Sequence, residues 1–255
     1  MLSERRGSIA ILTLNNPQQY NALDEAIMAD LSTALDLVLN DPSARAIVLT
    51  GAGKGFCSGA QFGGDTFDKG ESIGLVMRTS INPLIEKLRS SPIPIVVAVN
   101  GPAAGAGVGI ALAGDIVIAA RSARFILSFV RLGAVLDGGT SFLLQRSIGT
   151  ARTRALALLG EPLSAEVAEQ WGLIWKCVDD DDLLNEAVDI AQKLADGPPI
   201  AIGLIKSQLE SGWSADLGST LDSEASAQMR AFITEDLREG AAAYVEKRRP
   251  RFVGR

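Results

Sequence analysis

Two glycine-rich turns, each directly after a short apolar strand, place the strongest constraint on this sequence. The first turn, residues 51–60, follows a predicted strand at 46–50, and the second, residues 100–109, follows one at 93–99. Both turns end where a helix could start, where backbone N–H groups have no partner within the helix. Glycine lets a ligand approach the backbone without a side chain in the way. Two such turns side by side would direct two N–H donors at one oxygen atom, the geometry of an oxyanion hole.

The composition excludes several kinds of catalytic site. The 255 residues include no histidine, which rules out a Ser-His-Asp triad, a Cys-His pair and a histidine-bearing zinc site. The two cysteines, Cys57 and Cys177, form no disulfide framework and no structural zinc site, so we expect a cytoplasmic protein without a metal. An acid–base enzyme of this composition must move protons with a carboxylate, Lys, Tyr or Cys.

Charge and hydropathy narrow the range of partners. The formal net charge of −6 argues against a nucleic-acid binder, although a local basic cluster occurs at residues 247–251. The apolar runs are short and interrupted by Gly, Asn and Asp, which predicts no membrane span. The apolar stretch near the N-terminus is too short for the core of a signal peptide.

The hydrophobic pattern predicts strands and helices in alternation, then helices alone. Strands are predicted at 8–14, 46–50, 95–99, 115–119 and 124–126. Helices are predicted at 23–39, 81–88, 141–148, 151–159, 164–170, 181–195, 200–211, 214–235 and 237–247. Residues 63–73 are polar and glycine-rich and are predicted to form a mobile loop. The β-β-α rhythm predicts an α/β core followed by a helical extension.

Several motifs occur in a fixed order along essentially the whole chain. They are Pro17 with Asn-Ala-Leu at 21–23, Phe-Cys-Ser-Gly-Ala at 56–60, the segment 98–107, Asp-Ile-Val-Ile-Ala at 115–119, and the downstream pair 163–166 and 171–174. This ordered set resembles the crotonase (enoyl-CoA hydratase/isomerase) superfamily. Residues 103–107 with 114–123, 169–175 and 247–252 are most similar to its ring-1,2-epoxyphenylacetyl-CoA isomerase subgroup.

The resemblance implies a fold, an assembly and a substrate class. The fold is a spiral of β-β-α units over residues 1–195, followed by a helical C-terminal trimerisation region over residues 196–255. The assembly is a homotrimer or homohexamer. The substrate is an acyl-CoA thioester, so coenzyme A arrives as part of the substrate and no separate cofactor is needed. Its carbonyl oxygen would lie between the backbone N–H groups of Ala60 and Ala106. Relatives usually carry glycine at the position of Ala106.

The same resemblance assigns residues that would contact the substrate. These are Ala22, Ser58, Gln61, Phe62, Gly105, Gly107, Phe129, Leu132, Lys247 and Phe252. Lys247 and Phe252 lie in the basic tail, which in this family often contacts coenzyme A across a subunit boundary.

One carboxylate is the candidate proton carrier. Hydratases of this family typically use two glutamates, and the corresponding positions here are Gly109 and Phe129. Asp137 matches the aspartate of the isomerase subgroup, with Leu136 in place of the proline that usually precedes it. Apolar neighbours would raise the pKa of this carboxyl above the ordinary value of about 3.9. The candidate neighbours are Leu127, Phe129, Leu132, Val135 and Leu136.

Simpler interpretations of the same residues stay open at this point. An Asp-Gly-Gly sequence at 137–139 is ordinary turn chemistry, and the glycines at 105, 107 and 109 could merely permit tight packing. Cys57 has no histidine partner and is better explained as a small buried hydrophobe than as a nucleophile.

We predict an acyl-CoA double-bond isomerase that uses Asp137, Ala60 and Ala106. The alternatives are a hydratase that uses a different carboxylate, a hydrolase or dehalogenase in which Asp137 is the nucleophile, and a catalytically silent acyl-CoA-binding subunit.

Overall fold

A computed structural model describes residues 1–60 and 70–255, and for residues 70–72 it describes the backbone alone. Most of the predicted loop at 63–73 therefore lies outside the described residues. Its last four residues, 70–73, belong to a helix rather than to a loop.

The strands and helices of the described residues are as follows. The strands are β1 (Leu2–Arg6), β2 (Ile9–Leu14), β3 (Ala46–Gly51), β4 (Ile95–Val99), β5 (Ala103–Ala104), β6 (Ile116–Ala120), β7 (Arg124–Ile126), β8 (Leu163–Ser164) and β9 (Lys176–Val178). The α-helices are α1 (Glu25–Leu39), α2 (Gly70–Val76), α3 (Asn82–Ser90), α4 (Ala106–Leu112), α5 (Thr140–Leu159), α6 (Ala165–Gln170), α7 (Leu183–Ala195), α8 (Pro199–Gly212), α9 (Leu217–Phe232) and α10 (Glu235–Glu246). A π-helical turn, Met77–Ile81, joins α2 to α3.

The main sheet has six strands in the order β1-β2-β3-β4-β6-β9. The pair β1–β2 is antiparallel and the remaining pairs are parallel. Strand β4 is buried along its whole length, as expected for a parallel strand covered on both faces, and α7 packs against β3 and β4. Two strands of this sheet, β1 and β9, were not predicted. The sequence of β1, Leu-Ser-Glu-Arg-Arg, has no apolar alternation, and all five of its residues are exposed. Strand β9 has three residues, which is too short for an alternating pattern to show.

A second series of short parallel pairings runs beside the main sheet. Leu23 pairs with Ala60, Cys57 pairs with Ala103, and β5 pairs with β7. The antiparallel pair β7–β8 extends this series. Successive turns of the chain thus contribute one long strand to the main sheet and one short segment to the second series, as the β-β-α rhythm predicts. Because neighbouring turns pair in this second series, the two glycine-rich turns lie next to each other.

The C-terminal part of the chain is helical, and its helices bury little. The predicted helices at 141–148 and 151–159 form one element, α5, with a kink at Gly149, where φ is 76° and ψ is 166°. The predicted boundary after residue 195 falls between α7 and α8. No residue of α9 is buried. Across the part of the chain that the structure describes, no helix combines the length and the apolar character that a membrane crossing requires.

Candidate active site

Asn21 holds the first glycine-rich turn in place. Its side chain is fully buried, and its Nδ2 donates hydrogen bonds to the carbonyl oxygens of Ala52, Gly55 and Phe56 at 2.8–3.1 Å. Its Oδ1 accepts from the backbone N–H of Asn16 at 2.8 Å. A single side chain therefore satisfies carbonyl groups that would otherwise be buried without partners in this irregular segment.

The second glycine-rich turn is joined to the first by backbone hydrogen bonds. The N–H of Ala104 donates to the carbonyl oxygen of Cys57 at 2.8 Å. Gly59 lies at the junction with φ of 84°, and a Cβ added there would be 2.6 Å from the oxygen of Ala104 and 3.3 Å from the nitrogen of Ala106. Glycine is required here both by its conformation and by the close approach of the second turn.

Two backbone N–H groups at this junction have no partner among the described residues. Ala106 is the first residue of α4, so its N–H has no carbonyl four residues earlier in the helix. Within residues 1–60 and 70–255, neither this N–H nor that of Ala60 donates a hydrogen bond to the protein. Both residues line the same cavity. The predicted pair of oxyanion donors is thus brought together at one opening.

The cavity has a volume of about 580 Å³ and a largely apolar wall. It is lined by Leu23, Asp24, Glu25, Met28, Ala60, Ile73, Val76, Met77, Ile81, Ala106, Phe129, Gly133, Ala134, Val135, Leu136 and Asp137. Apolar walls with a few polar groups are typical of small-molecule sites.

Asp137 lies on the wall of this cavity, and one of its carboxyl oxygens has no hydrogen-bond partner among the described residues. Its Oδ1 is buried, and no described group forms a hydrogen bond with it. Burial raises the pKa of Asp137 from 3.8 to about 6, because desolvation disfavours the charged form. The hydroxyl and the N–H of Thr140 donate to the carbonyl oxygen of Asp137 at 2.7 and 3.0 Å, which ties the loop to the start of α5. An unpartnered buried carboxyl with a raised pKa, facing a cavity, is typical of a functional group.

The two positions expected for a hydratase's glutamates carry no carboxylate. Gly109 is buried inside α4, and the ring of Phe129 lines the cavity. The carboxylates that line the described part of the cavity are Asp24, Glu25 and Asp137. Asp24 caps α1, with Oδ1 accepting from the N–H of Ile27 at 2.7 Å.

The remaining predicted contact residues of the core have different surroundings. Ala22, Gly105 and Gly107 lie in or beside the two turns but do not line the cavity, and the hydroxyl of Ser58 donates to the carbonyl oxygen of Gln19. Leu132 is 61% exposed and also lies off the cavity wall. Gln61 and Phe62 lie outside the described residues.

Cys57 is fully buried, and burial raises its pKa to about 12. At this pKa its sulfur is a protonated thiol rather than a nucleophilic thiolate near neutral pH. The structure therefore supports the interpretation of Cys57 as a small buried hydrophobe.

The basic tail lies away from this cavity within the same chain. Lys247 is exposed and ends α10 with φ of 55°. The ring of Phe252 packs over Gly240. The backbone carbonyl oxygen of Phe252 accepts a hydrogen bond from the guanidinium of Arg45 at 2.9 Å. Neither Lys247 nor Phe252 lines the cavity that holds Asp137.

Sequence reasoning missed part of the cavity wall. Met28 of α1, Val76 of α2, and Met77 and Ile81 of the π-helical turn all line it. Met28 belongs to a predicted helix, but nothing in the apolar spacing of α1 sets it apart from the core. The π-helical turn places Met77 and Ile81 together at the site, and π-helical turns are frequent at functional sites.

Comparison with known proteins finds relatives that extend over the whole chain. The family model for enoyl-CoA hydratase/isomerase matches residues 4–255. The 1,2-epoxyphenylacetyl-CoA isomerase of Escherichia coli (strain K12) is 42% identical over 258 residues, which cover 100% of this chain and 98% of that protein. A protein named probable enoyl-CoA hydratase from Rhodobacter capsulatus is also 42% identical, over 97% of this chain and 95% of its own length. The crystal structure of enoyl-CoA hydratase from Bacillus anthracis superposes with a TM-score of 0.95 at 32% identity, covering 100% of this chain and 99% of that one.

These similarities extend over the whole chain and confirm the predicted α/β fold of the crotonase type. The relatives carry hydratase and isomerase names, so the chain is an enzyme of the same kind. The protein belongs to the enoyl-CoA hydratase/isomerase family, the crotonase superfamily.

Proposed function

We propose that this enzyme is an acyl-CoA double-bond isomerase that works with one carboxylate. The observation that carries the proposal is the position of Asp137, which lines the same cavity as Ala60 and Ala106, whose N–H groups donate to no group in the described part of the chain. Of the two positions at which hydratases would carry glutamates, 109 is a glycine buried inside α4 and 129 is a phenylalanine on the cavity wall. Moving a double bond needs one group that removes and returns a proton, together with a site that holds the intervening negative charge.

The reaction follows from these groups in two proton transfers. The thioester carbonyl oxygen accepts hydrogen bonds from Ala60 and Ala106. Asp137 removes a proton from the carbon next to the carbonyl of a 3-enoyl thioester, and the electron pair moves into an extended enolate. The N–H donors stabilise the enolate oxygen. The acid form of Asp137 then returns the proton to the far end of the extended enolate, giving the conjugated 2-enoyl thioester with no net change in atoms.

The raised pKa of Asp137 suits both steps. A carboxyl with a pKa of about 6 is largely ionised at neutral pH, as a base must be. It also holds a proton more firmly than an exposed aspartate, which strengthens it as a base and places its pKa near the working pH.

We further propose a ring-derived acyl group as the substrate, as in phenylacetate catabolism. Two observations support this. One full-length relative is named 1,2-epoxyphenylacetyl-CoA isomerase. The cavity wall beside Asp137 is formed by apolar side chains, including Phe129, Leu136 and Met77.

A hydratase is the second candidate function. Asp24 and Glu25 line the cavity together with Asp137, and an equally similar relative carries a hydratase name. Addition of water would need one of these carboxylates to act with Asp137. Because Asp24 already accepts the N–H of Ile27 as a helix cap, Glu25 is the better candidate for that role.

We propose that the chain assembles as a homotrimer or homohexamer through its C-terminal helices in the cytoplasm. Apolar side chains on α8 and α9 are exposed, and no residue of α9 is buried. Because Lys247 and Phe252 lie away from the cavity of their own chain, a contact with coenzyme A would be made in a neighbouring subunit.

Replacement of Asp137 by Asn tests the proposed base. The amide keeps the size of the side chain but cannot take up the proton, so we expect turnover of a 3-enoyl-CoA to fall by at least about 100-fold. Binding of the CoA ester, measured by calorimetry, should change little because the N–H donors are intact. As a matched control, Asp24→Asn changes a carboxylate at the same cavity and should retain most of the activity. Undiminished turnover by Asp137→Asn would rule out this aspartate as the base.

A further inference from the structure

The loop that carries Asp137 rests on α4 at a backbone-to-backbone contact. A Cβ added at Gly109 would lie 2.0 Å from the carbonyl oxygen of Gly138, 2.8 Å from its carbonyl carbon and 3.1 Å from its Cα. These atoms are backbone, so no flexible side chain can move aside. Any residue other than glycine at 109 must displace the segment that follows Asp137.

The loop meets α4 with a second glycine. Gly138 has φ of 55°, and a Cβ added to it would lie 3.2 Å from the Cα and 3.4 Å from the Cβ of Ala106. Ala106 and Gly109 are three residues apart in α4 and therefore share one face of the helix. The loop thus contacts the helical turn that begins with the proposed oxyanion donor.

We propose that Gly109 is a positioning residue, which sets the place of Asp137 relative to the N–H of Ala106 by leaving room for the carbonyl of Gly138. The contact is independent of the reaction, whereas its catalytic consequence rests on the proposed function of Asp137. A side chain at 109 and the observed position of Asp137 exclude each other. A carboxylate at position 109 could not be added to this site without moving the one already there.

The other end of the loop determines how it would move. Thr140 is buried and binds the carbonyl oxygen of Asp137 through both its hydroxyl and its N–H. If a side chain at 109 displaces Gly138 while Thr140 still holds the carbonyl oxygen of Asp137, the Asp137 carboxyl must change its position in the cavity, and we expect it to gain contact with water. The other ionisable groups on the described cavity wall, Asp24 and Glu25, carry the same charge as ionised Asp137 and would not hold its carboxylate in place.

The variant Gly109→Ala tests this proposal by adding one methyl group. Alanine is intrinsically better than glycine inside a helix, so a loss of function would come from the clash and not from the helix itself. The matched control is Gly212→Ala in α8, where an added Cβ meets nothing within 4 Å.

Two readouts are compared across these variants. The first is the pKa of the Asp137 carboxyl, followed by NMR with carbon-13-labelled aspartate and assigned with Asp137→Asn. It should fall in Gly109→Ala from about 6 toward the ordinary value of about 4 and stay unchanged in Gly212→Ala. The second is turnover of a 3-enoyl-CoA, which should fall about 100-fold with little change in KM, the size expected for a misplaced catalytic group.

A second variant tests the same contact from the loop side. Gly138→Ala introduces a milder clash, at 3.2–3.4 Å, and remains informative if Gly109→Ala does not fold. Its matched control is Gly172→Ala, which carries the cost of a positive φ, 76°, with nothing within 4 Å. We expect the same downward shift in the pKa of Asp137 in Gly138→Ala and no shift in Gly172→Ala.

The outcomes separate this proposal from the proposed function. A shifted Asp137 titration in an enzyme whose wild type does not isomerise 3-enoyl-CoA would support the positioning role and contradict the isomerase. A wild-type titration and wild-type turnover in both glycine variants would overturn the positioning role. A lower melting temperature with an unchanged Asp137 titration would also overturn it, because the glycines would then serve packing alone.

Discussion

Asp137 combines two requirements that oppose each other. As a proton carrier it must be partly buried, since burial raises its pKa to about 6. Yet an ionised carboxylate whose Oδ1 finds no partner in the described part of the chain is unfavourable in that place. The surrounding loop retains it through contacts to backbone atoms: Thr140 binds its carbonyl oxygen, and Gly138 rests on α4. The cost of burying this carboxyl is thus offset by ordinary packing around it.

This balance predicts how the stability of the enzyme depends on pH. The pKa of Asp137 is higher in the folded state, about 6, than in the unfolded chain, about 3.9, so its contribution to stability is present at low pH and lost as pH rises through 6. The full loss is up to about 3 kcal/mol, of which about 1.5 kcal/mol falls between pH 5 and pH 8.

The uncharged Asp137→Asn variant does not suffer this loss. Its free energy of unfolding relative to wild type should therefore rise by about 1.5 kcal/mol from pH 5 to pH 8, as measured by urea denaturation. A difference between Asp137→Asn and wild type that is constant across this pH range would show that Asp137 is not buried as described.

At the scale of secondary-structure elements, the apolar pattern predicted the long buried strands and most helices. Strands β2, β3 and β4 follow continuous apolar runs, and α1 has buried residues at the predicted spacing. The exposed β1 and the short β5, β8 and β9 were missed, because their places depend on pairing with distant segments and not on their own sequence.

The candidate site could also be predicted only in part, because some of its residues are brought together by segments distant in sequence. The two turns and Asp137 carry local signals, namely glycine spacing and a motif match. The apolar wall formed by Met28, Val76 and Met77 comes from helices that are distant in sequence, and a side chain's orientation toward a cavity leaves no trace in local periodicity. The central role of Asn21 in holding the first turn also depends on three carbonyl groups more than 30 residues away.

At the scale of the whole molecule, the C-terminal helices expose more apolar surface than a lone chain should. Met229 is 74% exposed and Ile233 is 76% exposed, close together at the end of α9. Contiguous exposed apolar residues of this kind mark a protein interface. We expect copies of this chain to cover them.

The double variant Met229→Glu with Ile233→Glu tests this assembly. Charges buried between subunits without partners are costly, so we expect the double variant to have a smaller mass in multi-angle light scattering than the proposed trimer or hexamer of the wild type. Leu37→Glu, at a similarly exposed leucine on α1, should leave the wild-type mass unchanged. A wild-type protein with the mass of one chain would contradict assembly through these helices.

The central proposal is that one carboxylate, Asp137, shifts a double bond. The direct measurement is mass spectrometry of the products formed by the wild-type enzyme from a 3-enoyl-CoA in deuterated water. We predict conjugated 2-enoyl-CoA and no product that has gained the elements of water. Deuterium enters the carbon chain only to the extent that the acid form of Asp137 exchanges its proton with solvent before returning it. A hydrated product would contradict the isomerase and assign a second carboxylate to the reaction.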